Sequence, residues 1–130
     1  MPRLELTRLI LVEDDPDIRK VVQVIFQSAG GLEFLICSSG EELLANASRF
    51  NPQLILLDVM MPGMDGISAF KALQKVPDLA SVPVIFMTAK VQAAEIESYK
   101  KLGALDVIQK PFEPMSLVQL IRDIWKRRDV

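Results

Sequence analysis

Short apolar runs alternate along this chain with stretches of helical periodicity, and that alternation restricts the fold more than any other feature. The runs are Leu9-Ile10-Leu11-Val12, Phe34-Leu35-Ile36-Cys37, Leu54-Ile55-Leu56-Leu57, Val84-Ile85-Phe86-Met87 and Val107-Ile108-Gln109. Each is too short for a helix and reads as a strand. Between the first two, Ile18, Val21, Val22, Ile25 and Phe26 recur at i, i+3, i+4, i+7 and i+8, one stripe of an amphipathic helix. Leu117, Leu120, Ile121, Ile124 and Trp125 repeat that spacing after the last strand. Helices carrying Leu43, Leu44 and Ala47, then Ile67, Phe70 and Leu73, and a stretch from about Val91 to Leu102 complete the pattern. Strand and helix in strict alternation predict an α/β fold, a doubly wound five-stranded parallel sheet with helices on both faces. Unbroken Leu/Ile/Val sequences suit strands buried on both sides.

Punctuation residues agree with these limits. Asp15 can cap the first helix with Pro16 at the tolerated first position, and Gly30-Gly31 ends it. Ser39 and Glu42 have the spacing of a capping box. Pro52 breaks the chain before the third strand, Gly66 precedes the third helix, Pro77 and Pro83 bracket the next loop, and Gly103 stops the fourth helix. The last helix is expected to begin near Pro114. With 130 residues and no linker or low-complexity stretch, the chain reads as one domain over 1–130, its core from about 9 to 125.

Charge narrows the class of partner. Fifteen basic and seventeen acidic side chains leave a net charge of −2, no footprint for nucleic acid or anionic lipid. The cluster Lys126-Arg127-Arg128 suits a helix carboxyl end. A single Cys37 excludes an internal disulfide, reads as a buried structural thiol, and accords with a reducing cytoplasm. No apolar stretch approaches a membrane span and the first residues lack an export pattern, so the expected location is cytoplasmic.

Chemistry is expected where the strands end. The first runs into Glu13-Asp14-Asp15, the third into Asp58, the fourth into Thr88-Ala89-Lys90, and the fifth into Lys110 before Pro111. In a parallel sheet these ends share one edge, where open α/β proteins bind ligands. Each residue alone is more simply a cap, a turn residue or a solvated loop charge. Together the weighting reverses, because each strand end presents a residue type that a metal-assisted phosphoryl site needs. Converging carboxylates need a positive charge, and Mg²⁺ takes a few carboxylate oxygens with water and phosphate oxygens. Asp14 and Asp58 are the natural direct ligands, Glu13 can act through water, and the backbone carbonyl of Met60 could add an oxygen. Thr88 and Lys110, with the metal, would complete a tripod for the equatorial oxygens of a phosphoryl group in transit.

Leu11-Val12-Glu13-Asp14-Asp15, the stretch from Leu56 through Asp58 to Gly66, Met87-Thr88-Ala89 and Lys110-Pro111-Phe112 resemble the signature blocks of response regulator receiver domains, those of chemotaxis-type single-domain regulators included. The resemblance covers about Leu9 to Trp125 and implies a flavodoxin-like sheet of strand order 2-1-3-4-5. It implies that Asp58 is the phosphoacceptor, that Glu13, Asp14 and Asp58 hold Mg²⁺, and that Thr88, Ala89 and Lys110 form the phosphoryl-binding and switch set. Lys110-Pro111 is expected to be cis. One position departs from the pattern. Val107 stands where receivers commonly carry the aromatic of a rotameric switch, so the output is expected to travel by loop and helix displacement, with Tyr99 on the preceding helix and outside the usual place. Met60 and Lys90 are expected to tune phosphoryl lifetime.

The expected partners are a sensor histidine kinase or phosphotransfer protein and a downstream effector, without direct nucleic-acid or membrane binding. The expected state is a monomer, or a weak dimer through the face of the fourth helix, fifth strand and fifth helix. A stand-alone receiver, not an enzyme beyond self-phosphorylation and autodephosphorylation, is the leading reading. A receiver module cut from a longer regulator or hybrid kinase is the alternative within the family. A Mg²⁺-dependent aspartyl-phosphate phosphatase suits less well, because Val59 and Met60 follow Asp58 where an acid-base carboxylate is needed. A flavin module ranks last, since an acidic crevice repels its phosphate.

Overall fold

A computed structural model describes residues 4–89 and 91–128. Five strands, β1 (Arg8–Val12), β2 (Glu33–Cys37), β3 (Leu54–Asp58), β4 (Val84–Thr88) and β5 (Asp106–Gln109), form one parallel sheet in the order β2-β1-β3-β4-β5. The five helices are α1 (Pro16–Ala29), α2 (Gly40–Phe50), α3 (Gly66–Gln74), α4 (Ala93–Leu102) and α5 (Leu117–Arg127). This is the expected doubly wound, flavodoxin-like topology. The chain runs outward from β1 to β2 and then crosses back to β3, so the β1/β3 boundary is the switch point, with a crevice at its carboxyl edge.

Strand parity sorts the core into two layers. Ile10, Val12, Ile55, Leu57, Val84 and Phe86 face α2, α3 and α4, while Leu9, Leu11, Leu54, Leu56, Ile85 and Met87 face α1 and α5. The three inner strands are buried apart from Arg8, as their continuous apolar sequences require. Phe26 and Val22 of α1 and Ile121, Ile124 and Trp125 of α5 close the second layer. Each fully buried large side chain of this kind contributes about 1.5–3 kcal/mol over its exposed state.

Local signals account for most element ends. The Asp15 carboxylate accepts from the amides of Asp17 and Ile18 at the start of α1, a cap worth about 1 kcal/mol. Ser39 caps α2 by accepting from the Glu42 amide at 3.0 Å, but the reciprocal half of the box is absent: the Glu42 carboxylate accepts from the Ser38 hydroxyl instead. Asp65, which the sequence reading did not use, caps α3 through the Ser68 amide at 2.7 Å. Two helix starts differ from expectation. Helix α4 begins at Ala93, not Val91, and Gln92 makes no side-chain cap. Pro114–Ser116 is a 3-10 turn, and α5 proper starts at Leu117. The Lys110–Pro111 bond is cis.

Candidate functional site

Parity also decides which strand-end side chains meet. Glu13, Asp58 and Lys110 continue the alternation of Leu11, Leu56 and Ile108, all of which face α1 and α5. The three accordingly converge: Lys110 Nζ lies 2.7 Å from Glu13 Oε1 and 3.1 Å from Asp58 Oδ2. Glu13 and Asp58 are 0% and 2% exposed, so this ammonium is the charge that makes two buried carboxylates tolerable. Asp14, half-buried, brings a third, and carboxylate oxygens of Glu13, Asp14 and Asp58 all lie within 4.8 Å of one another.

Each carboxylate has further donors. The amide of Met60 donates to Asp58 Oδ1 at 3.2 Å, and the amide of Asp15 donates to Glu13 Oε2 at 3.1 Å. Burial, and next the neighbouring Glu13, push the Asp58 carboxyl up from 3.8 to about 7, while Lys110 pulls the other way. Burial disfavours the Lys110 ammonium, but its bonds to Glu13 and Asp58 outweigh that and raise it. These opposite pulls describe a site with more negative charge than one lysine balances. Three carboxylates at this spacing are a donor set that fits Mg²⁺.

Thr88 sits elsewhere in the same edge. It shares the parity of Val84 and Phe86, toward α3 and α4, and is 1% exposed. Its carbonyl accepts from the Lys110 amide at 2.9 Å, so the backbones of Thr88 and Lys110 are tied. Ala89 is exposed, and the Met60 side chain is 67% exposed at the rim. Lys90 lies outside the described residues. Val107 is half-buried beside Phe86, its partner across the β4/β5 ladder, and Phe86 packs edge-on against Tyr99 with ring centroids 5.3 Å apart.

Two contributors escaped the sequence reading. Gly66, read as a helix-start signal, has no room for a side chain: a Cβ there would lie 2.3 Å from the Asp58 carbonyl oxygen and 2.8 Å from Val59 Cα. Its amide bonds the Val59 carbonyl at 3.0 Å and folds the loop tightly behind Asp58. Arg19 donates from Nη1 to the carbonyls of Glu13 (2.9 Å) and Asp14 (2.7 Å). Its place four residues after the Asp15 cap, one helical turn from the loop, was the available signal.

Residues 9–122 match the family described as response regulator receiver domain. The DNA-binding response regulator MtrA of Mycolicibacterium smegmatis is 30% identical over 122 residues, which are 94% of this chain and 52% of that protein. This chain spans about half the length of the curated relatives it matches. Chemotaxis protein CheY4 of Vibrio cholerae superposes with a TM-score of 0.83 at 28% identity, covering 92% of this chain and 98% of that one. The receiver domain of a signal transduction histidine kinase from Syntrophus aciditrophicus gives 0.77 at 28% identity, with 92% and 90% covered.

Proposed function

This chain belongs to the response regulator receiver domain family of two-component signalling, and from that premise we propose that Asp58 is its phosphoacceptor. The observation that carries the assignment is a buried carboxylate at the carboxyl end of the central strand, one oxygen held by Lys110 and the other by an amide, with Glu13 and Asp14 beside it. An Asp58 oxygen attacks the phosphorus of a phosphohistidine on a sensor kinase or phosphotransfer protein. The P–N bond breaks, a P–O bond forms, and the imidazole nitrogen keeps the electron pair and takes a proton from water. Positioning and charge stabilisation supply most of the catalysis in such a transfer.

Glu13, Asp14 and Asp58, with the backbone carbonyl of Met60, would hold Mg²⁺, Asp14 and Asp58 directly and Glu13 through water. Bound there, the ion supplies positive charge against the phosphoryl oxygens. Lys110, already between Glu13 and Asp58, turns toward a phosphoryl oxygen once it is present, and Thr88 donates its hydroxyl to another. Because the Lys110 amide bonds the Thr88 carbonyl, the two loops move together. The exposed, small Ala89 leaves the approach open, and Met60, exposed at the rim, governs water entry together with Lys90, and thus phosphoryl lifetime. Swapping Met60 and Lys90 for other residues changes the dephosphorylation rate, and an unchanged rate removes this role.

The output is a change in affinity for an effector protein on the α4, β5 and α5 face, in a protein acting in the cytoplasm as a monomer or weak dimer. It has no turnover beyond its own phosphorylation and dephosphorylation. Incubation with a small phosphodonor and Mg²⁺ is expected to give one labile phosphoryl group, absent in Asp58→Asn, with no turnover of general phosphate esters. Labelling that survives Asp58→Asn or needs no Mg²⁺ overturns the assignment.

A further inference from the structure

Arg19 is the fourth residue of α1, and its guanidinium is committed to the loop that carries two of the carboxylates. The carbonyls of Glu13 and Asp14 belong to the two peptide planes that flank Asp14, and Nη1 holds both. Other bonds take up the surrounding backbone. The Glu13 amide donates to the Cys37 carbonyl at 3.0 Å, the Asp15 amide to Glu13 Oε2 at 3.1 Å, and the Arg19 amide to the Asp15 carbonyl at 3.0 Å. The Asp14 carboxylate, in contrast, makes no hydrogen bond or ion pair among the described residues, so its backbone is what aims it.

We propose that Arg19 is the positioning residue of the acidic pair, setting the affinity of the site for a divalent cation by locking both peptide planes around Asp14 without touching the cation. The inference rests on the metal reading above and adds to it a residue outside the ligand set. Two effects of the side chain have opposite signs. Its positive charge near the cluster weakens cation binding, whereas its two bonds hold mutually repelling carboxylates in place before the cation arrives. Charge-assisted bonds of 2.7 and 2.9 Å in a half-buried setting favour the second. The sign of a measured change therefore separates them.

The test is calorimetric titration of Mg²⁺ into the full chain, with Arg19→Met and Arg19→Lys beside the parent and melting temperatures recorded in chelator. Arg19→Met is expected to weaken Mg²⁺ binding roughly tenfold, the lower end for groups that orient metal ligands. Arg19→Lys recovers most of the loss, because an ammonium can also donate to two carbonyls. Labelling of Asp58 by a small phosphodonor falls in Arg19→Met at low Mg²⁺ and returns at saturating Mg²⁺. Tighter binding in Arg19→Met, or equal affinity with only a lowered melting temperature, overturns the proposal. Should Arg19→Met fail to fold, Arg19→Gln gives the same reading. A parent chain that binds no Mg²⁺ sinks the metal reading and this inference with it, whereas equal affinities in parent and variants sink the role of Arg19 alone.

Discussion

Two single residues show how tightly this edge of the sheet is set. Gly66→Ala places a methyl 2.3 Å from the Asp58 carbonyl, against backbone that cannot yield cheaply. We expect about 2–4 kcal/mol of destabilisation in urea titration and slower labelling at Asp58, since relief must come from moving that strand end. Asp58 itself trades stability for its charge. With its carboxyl raised from 3.8 to about 7, the folded protein keeps a proton that the unfolded chain releases above about pH 4. The unfolded state then binds fewer protons across that window, so stability falls as pH rises from about 4 to 7 and stays low above it. Asp58→Asn removes the ionisation. In chelator at pH 7.5 it is expected to be more stable than the parent by about 1–3 kcal/mol, and near pH 4 the two converge. A variant less stable at pH 7.5 contradicts the account.

Among the five helices, α4 is held least. Its one buried residue is Tyr99, where α3 and α5 each bury four, and Oε2 of Glu95 on its first turn is buried with no hydrogen-bond partner among the described residues. A buried carboxylate oxygen without a partner weakens docking, so α4 is the helix expected to move at lowest cost. The anchor is aromatic but comes from the helix, not the strand. Phe70, Phe86 and Tyr99 stack edge to face with centroids 5.4 and 5.3 Å apart, and Val107 borders Phe86 from β5. This supports transmission by displacement of α4 and its loop: Thr88 faces the same layer as Phe86. Tyr99→Ala is expected to cost about 3 kcal/mol and to raise hydrogen exchange in α4 ahead of α3 and α5. Adding Val107→Tyr refills the space from the strand and recovers part of the loss, a coupling that a double-mutant cycle reads directly. Additive effects would show that 99 and 107 do not share one site.

At the scale of the molecule, the architecture was legible because its determinants are local. Apolar runs bounded by Gly and Pro, and helical stripes such as Ile18 to Phe26, need no knowledge of distant contacts, and strict alternation points to a doubly wound parallel sheet, whose strand order only the family resemblance implied. Glu13, Asp14, Asp58, Thr88 and Lys110 were legible as a set because strand ends collect at one edge. Their pairing was not. That Lys110 would bridge Glu13 and Asp58 depends on residues 97 and 52 apart, and the commitments of Arg19 and Gly66 are to backbone atoms, which carry no sequence signature. A metal held at that edge would act on the whole fold. The cluster exists only in the native state, since its members arrive from separate strands, so a cation bound there stabilises the entire domain by mass action. At a hundred times its dissociation constant, Mg²⁺ is expected to add about 2.7 kcal/mol, and removing it with chelator reverses the gain. Asp14→Ala, which leaves the Lys110 bridge intact, abolishes most of that increment while changing chelator stability little. A melting temperature indifferent to Mg²⁺ in the parent, or an undiminished shift in Asp14→Ala, removes the three carboxylates as the cation site.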